Sequence, residues 1–110
     1  MKIEIPIKAL SVNKAWQGRR FKSSYYIDFT RDVCRFLKRT NKTIEKECEV
    51  HYTFYIKNYS MSDVDNMIKP IQDLIVLLGY IKDDKKIVFL SAEKIKSKIE
   101  KIEIEIYEYE

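Results

Sequence analysis

Hydrophobic and polar positions alternate along this chain in blocks, and the period of each block predicts an element. In residues 2–8, KIEIPIK, the apolar Ile3, Ile5 and Ile7 recur at every second position. That spacing predicts a β-strand, and Pro6, which lacks a backbone N–H, places it near a sheet edge or a strand end. Residues 48–57 alternate Cys48, Val50, Tyr52, Phe54 and Ile56 against Glu49, His51, Thr53 and Tyr55. This is the clearest half-buried strand, with His51 on its polar face as a surface or interface residue and not a ligand. Residues 86–95 read as a strand carrying Ile87, Phe89, Ser91 and Glu93 on one face and Val88, Leu90, Ala92 and Lys94 on the other. Residues 102–109 alternate Ile102, Ile104 and Ile106 against Glu103, Glu105 and Tyr107. The apolar parity slips from odd at Ile95 and Ile99 to even at Ile102, which predicts a turn over 96–101.

Two blocks have helical spacing. Over residues 26–39 the apolar Tyr26, Phe29, Val33, Phe36 and Leu37 form one stripe, with Arg31, Arg35, Lys38 and Arg39 on much of the remainder. Ser23 or Ser24 is a candidate cap. Over residues 65–78, Met67, Ile68, Ile71, Leu74, Ile75 and Leu78 form a second stripe, and Gly79 stands where a helix C-cap belongs. Pro70 removes a backbone donor early in this helix, so its first turns are expected to be irregular. Residues 11–24, SVNKAWQGRRFKSS, are polar and basic and read as a loop. The predicted order is β-α-β-α-β-β, an α+β fold in which a small mixed sheet packs with two helices.

Length adds that 110 residues suit one domain, residues 1–110, with a core that needs no staples. Two glycines and two prolines leave little room for linkers. The two cysteines, Cys34 and Cys48, form no zinc pattern with the lone His51, and reduced thiols in a cytoplasmic protein are expected. Neither a signal peptide nor a membrane span is expected from the pattern of the sequence. Charge changes the picture more. Residues 1–40 carry ten Lys/Arg against three Asp/Glu, net +7, and residues 41–110 carry eleven against fourteen, net −3. A basic first third fits an anionic partner, although an ordinary solvated surface would look the same.

The acidic remainder concentrates chemistry in SDVDNMIKPIQDLIVLLGYIKDD, residues 62–84, which holds Asp63, Asp65, Asp73, Asp83 and Asp84. Alternate residues of an extended segment point the same way, so Asp63 and Asp65 can face one point. Paired carboxylates repel unless a proton or cation lies between them, and Mg²⁺ accepts carboxylates while keeping water and phosphate in its shell. Lys69 follows Asp65 by four residues, the spacing of neighbours on one helix face. Plain alternatives exist. Ser62-x-x-Asp65 is also a helix-capping pattern, Asp65 and Lys69 a surface ion pair, and Asp83-Asp84 a solvated turn. No Ser/His or Cys/His nucleophile and no glycine-rich phosphate loop is present.

The run Asp63-x-Asp65-Asn66-x-x-Lys69, the apolar helix, Gly79, and Asp83-Asp84 before a strand together resemble the RusA family of Holliday junction resolvases, mostly of phages and prophages. Ser11-x-Asn13, the basic loop and the helix bearing Arg31-Asp32 resemble the family's N-terminal part, so the likeness covers nearly the whole chain. Two features differ: Lys8-Ala9-Leu10 replaces a proline-rich approach, and Trp16 stands in place of a tyrosine pair. The resemblance implies a RusA-like nuclease domain that cuts opposed strands of four-way junction DNA as a homodimer, leaving 5′-phosphate and 3′-hydroxyl ends. It implies that Asp63, Asp65 and Asp84 bind Mg²⁺, with Mn²⁺ as a substitute, and that Lys69 acts in cleavage. No small-molecule cofactor or membrane is implied. Asp83 is the less certain of its pair, and Asp73 is assigned to structure. The DNA contacts expected are Asn13, Lys14, Arg19, Arg20, Lys22 and Asn66, with Trp16 or Phe21 stacking on bases or, for Trp16, lying over the core. A junction-binding protein of the same fold without cleavage is the alternative, and a small structural or antitoxin-like module is a third.

Overall fold

The computed structural model of the protein describes residues 1–17 and 21–109, and for residues 16, 17, 21 and 22 the backbone path only. The elements are β1 (Lys2–Ile5), α1 (Val12–Ala15), β2 (Trp16–Gln17), β3 (Phe21–Lys22), α2 (Ser24–Phe36), β4 (Cys48–Ile56), α3 (Ile68–Leu77), β5 (Ile87–Lys96) and β6 (Lys101–Glu108). Single 3₁₀ turns lie at Tyr59–Met61, Val64–Met67 and Asp84–Lys86. Four strands form one sheet in the order β1-β6-β4-β5. β4 runs antiparallel to β6 and parallel to β5, and β1 runs antiparallel to β6. A parallel pair needs a crossover, and α3 carries it. The α+β class and the small mixed sheet match the sequence reading.

The alternating strands bury the residues that their period selects. Val50, Tyr52, Phe54 and Ile56 of β4, Ile102, Ile104 and Ile106 of β6, and Ile5 of β1 all lie in the core. Phe29 and Val33 of α2 and Ile71, Leu74 and Ile75 of α3 cover the same face of the sheet. Each such side chain contributes about 1.5–3 kcal/mol by leaving water. The other sheet face keeps Glu49, His51, Thr53 and Glu105 half-buried, as the polar parity predicts.

β5 departs from the simple alternation. Cys48 pairs with Ile87 and Glu49 with Phe89, so Val88 is an extra residue and the register shifts there. The bulge turns the strand over. Ile87 and Ala92 therefore pack against the core, while Phe89 reaches the outer face, 5.7 Å from the His51 ring. Ile87 and Phe89, placed on one face by spacing, point to opposite faces.

α2 starts where Ser23 caps it, its hydroxyl accepting the Tyr26 N–H at 3.3 Å. It ends at Phe36, three residues before the sequence pattern stops, because the next groups bond elsewhere. The Thr40 N–H donates to Leu78 O at 2.9 Å, and the Tyr80 hydroxyl donates to Lys38 O at 2.7 Å. Phe36, expected on the apolar stripe, is exposed. The expected loop over 11–24 contains the one-turn α1 and the β2–β3 pair, elements too short to leave a period. Pro70 is the third residue of α3, where an α-helix has no partner for its N–H, and the irregular turn before it is the 3₁₀ turn Val64–Met67.

Gly79 ends α3 in a Schellman motif. Its N–H donates to Val76 O, and the Tyr80 N–H donates to Ile75 O at 2.9 Å. Its φ is +88°, and a Cβ there would lie 2.6 Å from the Thr40 carbonyl oxygen. Gly79→Ala is expected to cost about 2–5 kcal/mol, strain plus a backbone clash. A thermal melt checks this, and an unchanged melting temperature would contradict it.

Candidate active site

The chain leaving β4 is fixed by a residue from another strand. The Lys94 ammonium of β5 donates to Tyr59 O at 2.6 Å and Ser62 O at 2.8 Å, and lies 4.2 Å from the Tyr59 ring centroid. Three contacts from one lysine hold the segment that delivers Asp63. In the sequence, Lys94 falls on a strand face with no role assigned to it. The available signal was its parity: Lys94 shares the inward register with Ala92, opposite Phe54, where a lysine needs partners.

Asp63 sits in extended backbone, φ −90° and ψ 124°, immediately before the 3₁₀ turn. Its carboxylate does not cap that turn; it accepts a hydrogen bond from Asn66 Nδ2 at 3.3 Å. The Asp65 side chain is exposed and makes no hydrogen bond or ion pair with the described residues, while its backbone carbonyl accepts the Ile68 N–H. α3 begins at Ile68 with Met67 in the cap position and no side-chain cap, and the Ser62 hydroxyl donates to Asn58 O. The capping pattern at Ser62-x-x-Asp65 is therefore not realised.

Lys69 does not pair with Asp65, because the 3₁₀ turn at Asp65 breaks the helical spacing. It pairs forward, with Asp73 Oδ1 at 2.9 Å, and across the fold with Asp84 Oδ2 at 3.4 Å. The Asp73 hydrogen bond, and more weakly Asp84, holds the Lys69 ammonium above its ordinary range against a smaller opposing effect of burial.

α3 carries the chain about 15 Å away, and the return is scaffolded. Ile44 and Ile81 form an isolated parallel bridge, with Ile44 N–H to Tyr80 O at 3.1 Å and Lys82 N–H to Ile44 O at 3.0 Å. Asp83 then caps the turn Asp84–Lys86, accepting the Lys85 N–H at 2.9 Å. That amide bond, with help from Asp84, holds the Asp83 carboxyl below the usual carboxylate range. The two neighbours thus divide: Asp83 holds the backbone and Asp84 reaches Lys69.

A groove of about 600 Å³ opens beside Asp63, with Asn13, Lys14, Tyr25 and Asn66 among its walls. Three of the residues expected to touch DNA, Asn13, Lys14 and Asn66, thus share one recess with Asp63. Arg19 and Arg20 lie outside the described residues, as do the side chains of Trp16, Phe21 and Lys22. Arg31 pairs with Asp28 and Asp32, and Arg35 with Asp32, at 3.4–3.7 Å on an exposed helix face, where such pairs contribute little.

Asp63, Asp65 and Asp84 offer only hard carboxylate oxygens. Burial pushes the Cys48 thiol up, and His51 contacts Ser91 and Glu49 on the outer sheet face. Carboxylate oxygens are donors of the kind that Mg²⁺ and Mn²⁺ prefer. Among the described residues no three acidic, thiol or imidazole groups close into a cage. Mg²⁺ does not need one, since it commonly binds through one or two carboxylates with water and substrate phosphate.

A protein-family model described as endodeoxyribonuclease RusA matches residues 8–107. The crossover junction endodeoxyribonuclease rusA of Lactococcus phage r1t is 45% identical over 49 residues, which cover 44% of this chain and 37% of that protein. The chain thus spans little more than a third of the length of the curated relative it matches. With the family model covering nearly all of its length, the chain belongs to the RusA endodeoxyribonuclease family.

Proposed function

We propose that this protein is a divalent-metal-dependent endonuclease that resolves four-way DNA junctions by paired, symmetric nicks. The name of the phage relative gives the substrate class, and the basic first third of the chain fits a polyanion. The geometric observation that carries the reading is the 3.4 Å contact of Lys69 with Asp84. It ties a carboxylate fifteen residues away to the helix that starts beside Asp63 and Asp65, two acids that cap nothing.

Asp63, Asp65 and Asp84 would hold Mg²⁺, with Mn²⁺ as the substitute. When bound, the ion supplies Lewis-acid polarisation of the phosphoryl group and a lowered pKa for water. The chain's own groups supply the rest. Asn66 orients the Asp63 carboxylate through its amide. Lys69 presents a fixed positive charge where negative charge builds on the phosphoryl oxygens, and Asp73 holds that ammonium in place. Lys14, Arg19, Arg20 and Lys22 grip phosphates, so junction affinity falls with salt. Asn13 and Asn66 add polar contacts. A twofold homodimer places two such sites about one axis, which suits two opposed cuts. The work is assigned to the cytoplasm, where Cys34 and Cys48 stay thiols; no described helix is long and apolar enough to cross a membrane.

A junction binder without cleavage is the second reading, favoured by the unclosed set of acids. A synthetic four-way junction titrated with Mg²⁺ separates the two. Paired nicks that need the metal are expected, and Asp65→Asn is expected to abolish them while binding the junction at least as tightly, since it removes a negative charge. No nicks at any metal concentration would remove the enzyme, and full activity of Asp65→Asn would remove the assigned site.

A further inference from the structure

The groove beside Asp63 has a composition that the cleavage site alone does not use. At its rim Tyr25 is 61% exposed, although it is a large aromatic ring beside a ready core. Lys14 Nζ lies 5.9 Å from the centre of that ring, within cation–π range. The floor includes the apolar side chains of Leu10, Phe29 and Met67, while Asn13, Asn58 and Asn66 offer amides at the walls. Asp28 and Asp32 also line the groove. A flat ligand with apolar faces and hydrogen-bonding edges fits: an aromatic platform, an apolar floor and amide walls are what proteins present to an unstacked nucleobase. The volume of about 600 Å³ suits a ligand of nucleoside size and not a duplex.

Resting on the junction-endonuclease reading, we propose that this groove takes one unstacked base of the strand being cut, stacked on Tyr25, while the adjoining phosphate lies at Asp63. Asn66 lines the groove and also holds the Asp63 carboxylate, so it joins the two halves of this site. Asn13 and Asn66 contact the edge of the base. Tyr25 is a positioning residue: it sets which phosphate reaches the acids and touches no reacting atom.

Pairing protein variants with abasic junctions tests this by binding in metal-free buffer. Single abasic nucleotides are placed at each position within three of the branch point of the junction. Wild type is expected to lose roughly tenfold in affinity at one of these positions, the size of a single base–aromatic stack. Tyr25→Ala is expected to lose a similar roughly tenfold on the intact junction and nothing further at that abasic position. Tyr25→Phe, which keeps the platform, is expected to behave as wild type. Equal abasic penalties in wild type and Tyr25→Ala at every position would overturn the proposal, as would wild-type binding by Tyr25→Ala. The exposure of Tyr25 makes misfolding a poor explanation for a loss, and Tyr25→Phe controls for it. Because the readout is binding without metal, a positive coupling stands even if wild type fails to cut in Mg²⁺, and cutting without coupling sinks the base slot alone.

Discussion

Asp84→Asn is expected to reduce junction cleavage more than about 100-fold, beyond the loss that outer partners of a metal ligand usually cause. Its neighbour Asp83→Asn is expected to stay within about threefold of wild type, because asparagine caps a turn as well as aspartate. The contrast follows from one register. Asp83 is extended and its Oδ1 accepts the Lys85 amide, so its chemistry is spent on the backbone. Asp84, one residue on, turns toward Lys69. Single-turnover cleavage of a labelled junction at saturating protein checks both, with a gel shift to show that Asp84→Asn still binds. If Asp83→Asn were the dead variant and Asp84→Asn active, the metal set would have to be redrawn around Asp83. A loss shared equally by both would point to a shared turn that fails to form, and thermal melts of the two variants would show it.

That register was only partly legible in the sequence. Spacing alone put Asp63 and Asp65 on one side and left Asp83 and Asp84 as equals; the family resemblance ranked Asp84 first. What divides them physically is a cap, and a cap depends on which residue is extended when the next turn begins. Strands with one buried face were legible because water enforces their alternation: Ile102, Ile104 and Ile106 are buried, as their period demands. β5 was less so. As an edge strand it answers to one neighbour, and a single bulge at Val88 reverses its parity without any trace in composition. The parallel pairing of β4 with β5 is a long-range outcome that local periodicity does not encode. Lys94 was missed for the same reason. Its partners, the carbonyls of Tyr59 and Ser62, are more than thirty residues away and carry no side-chain signature.

Lys69→Met is expected to lower the cleavage rate by about 10²–10³-fold, the usual cost of removing one preorganised group that stabilises developing charge. Lys69→Arg is expected to recover part of that loss, because a guanidinium keeps the charge although it changes the shape. The order of these two variants tests the role. A fixed charge tolerates arginine; a proton donor does not, since arginine does not release a proton under these conditions. The hydrogen bond from Lys69 to Asp73 raises the lysine above its ordinary value, with Asp84 adding to it. Asp73 lies outside the proposed metal set, so its share persists when an ion occupies Asp84. A raised pKa in the folded state means that the stabilising charge is fully present below the unfolded value of about 10.4 and is lost only as pH climbs through the higher folded value. Between about pH 6 and pH 9 the rate should therefore show no fall that disappears in Lys69→Arg. A descending limb in that window, present in wild type and absent in Lys69→Arg, would make Lys69 an acid in the reaction. Asp73→Asn gives the complementary result: with its nearest partner neutral, Lys69 loses its anchor, the rate falls, and Asp84 alone holds the ammonium.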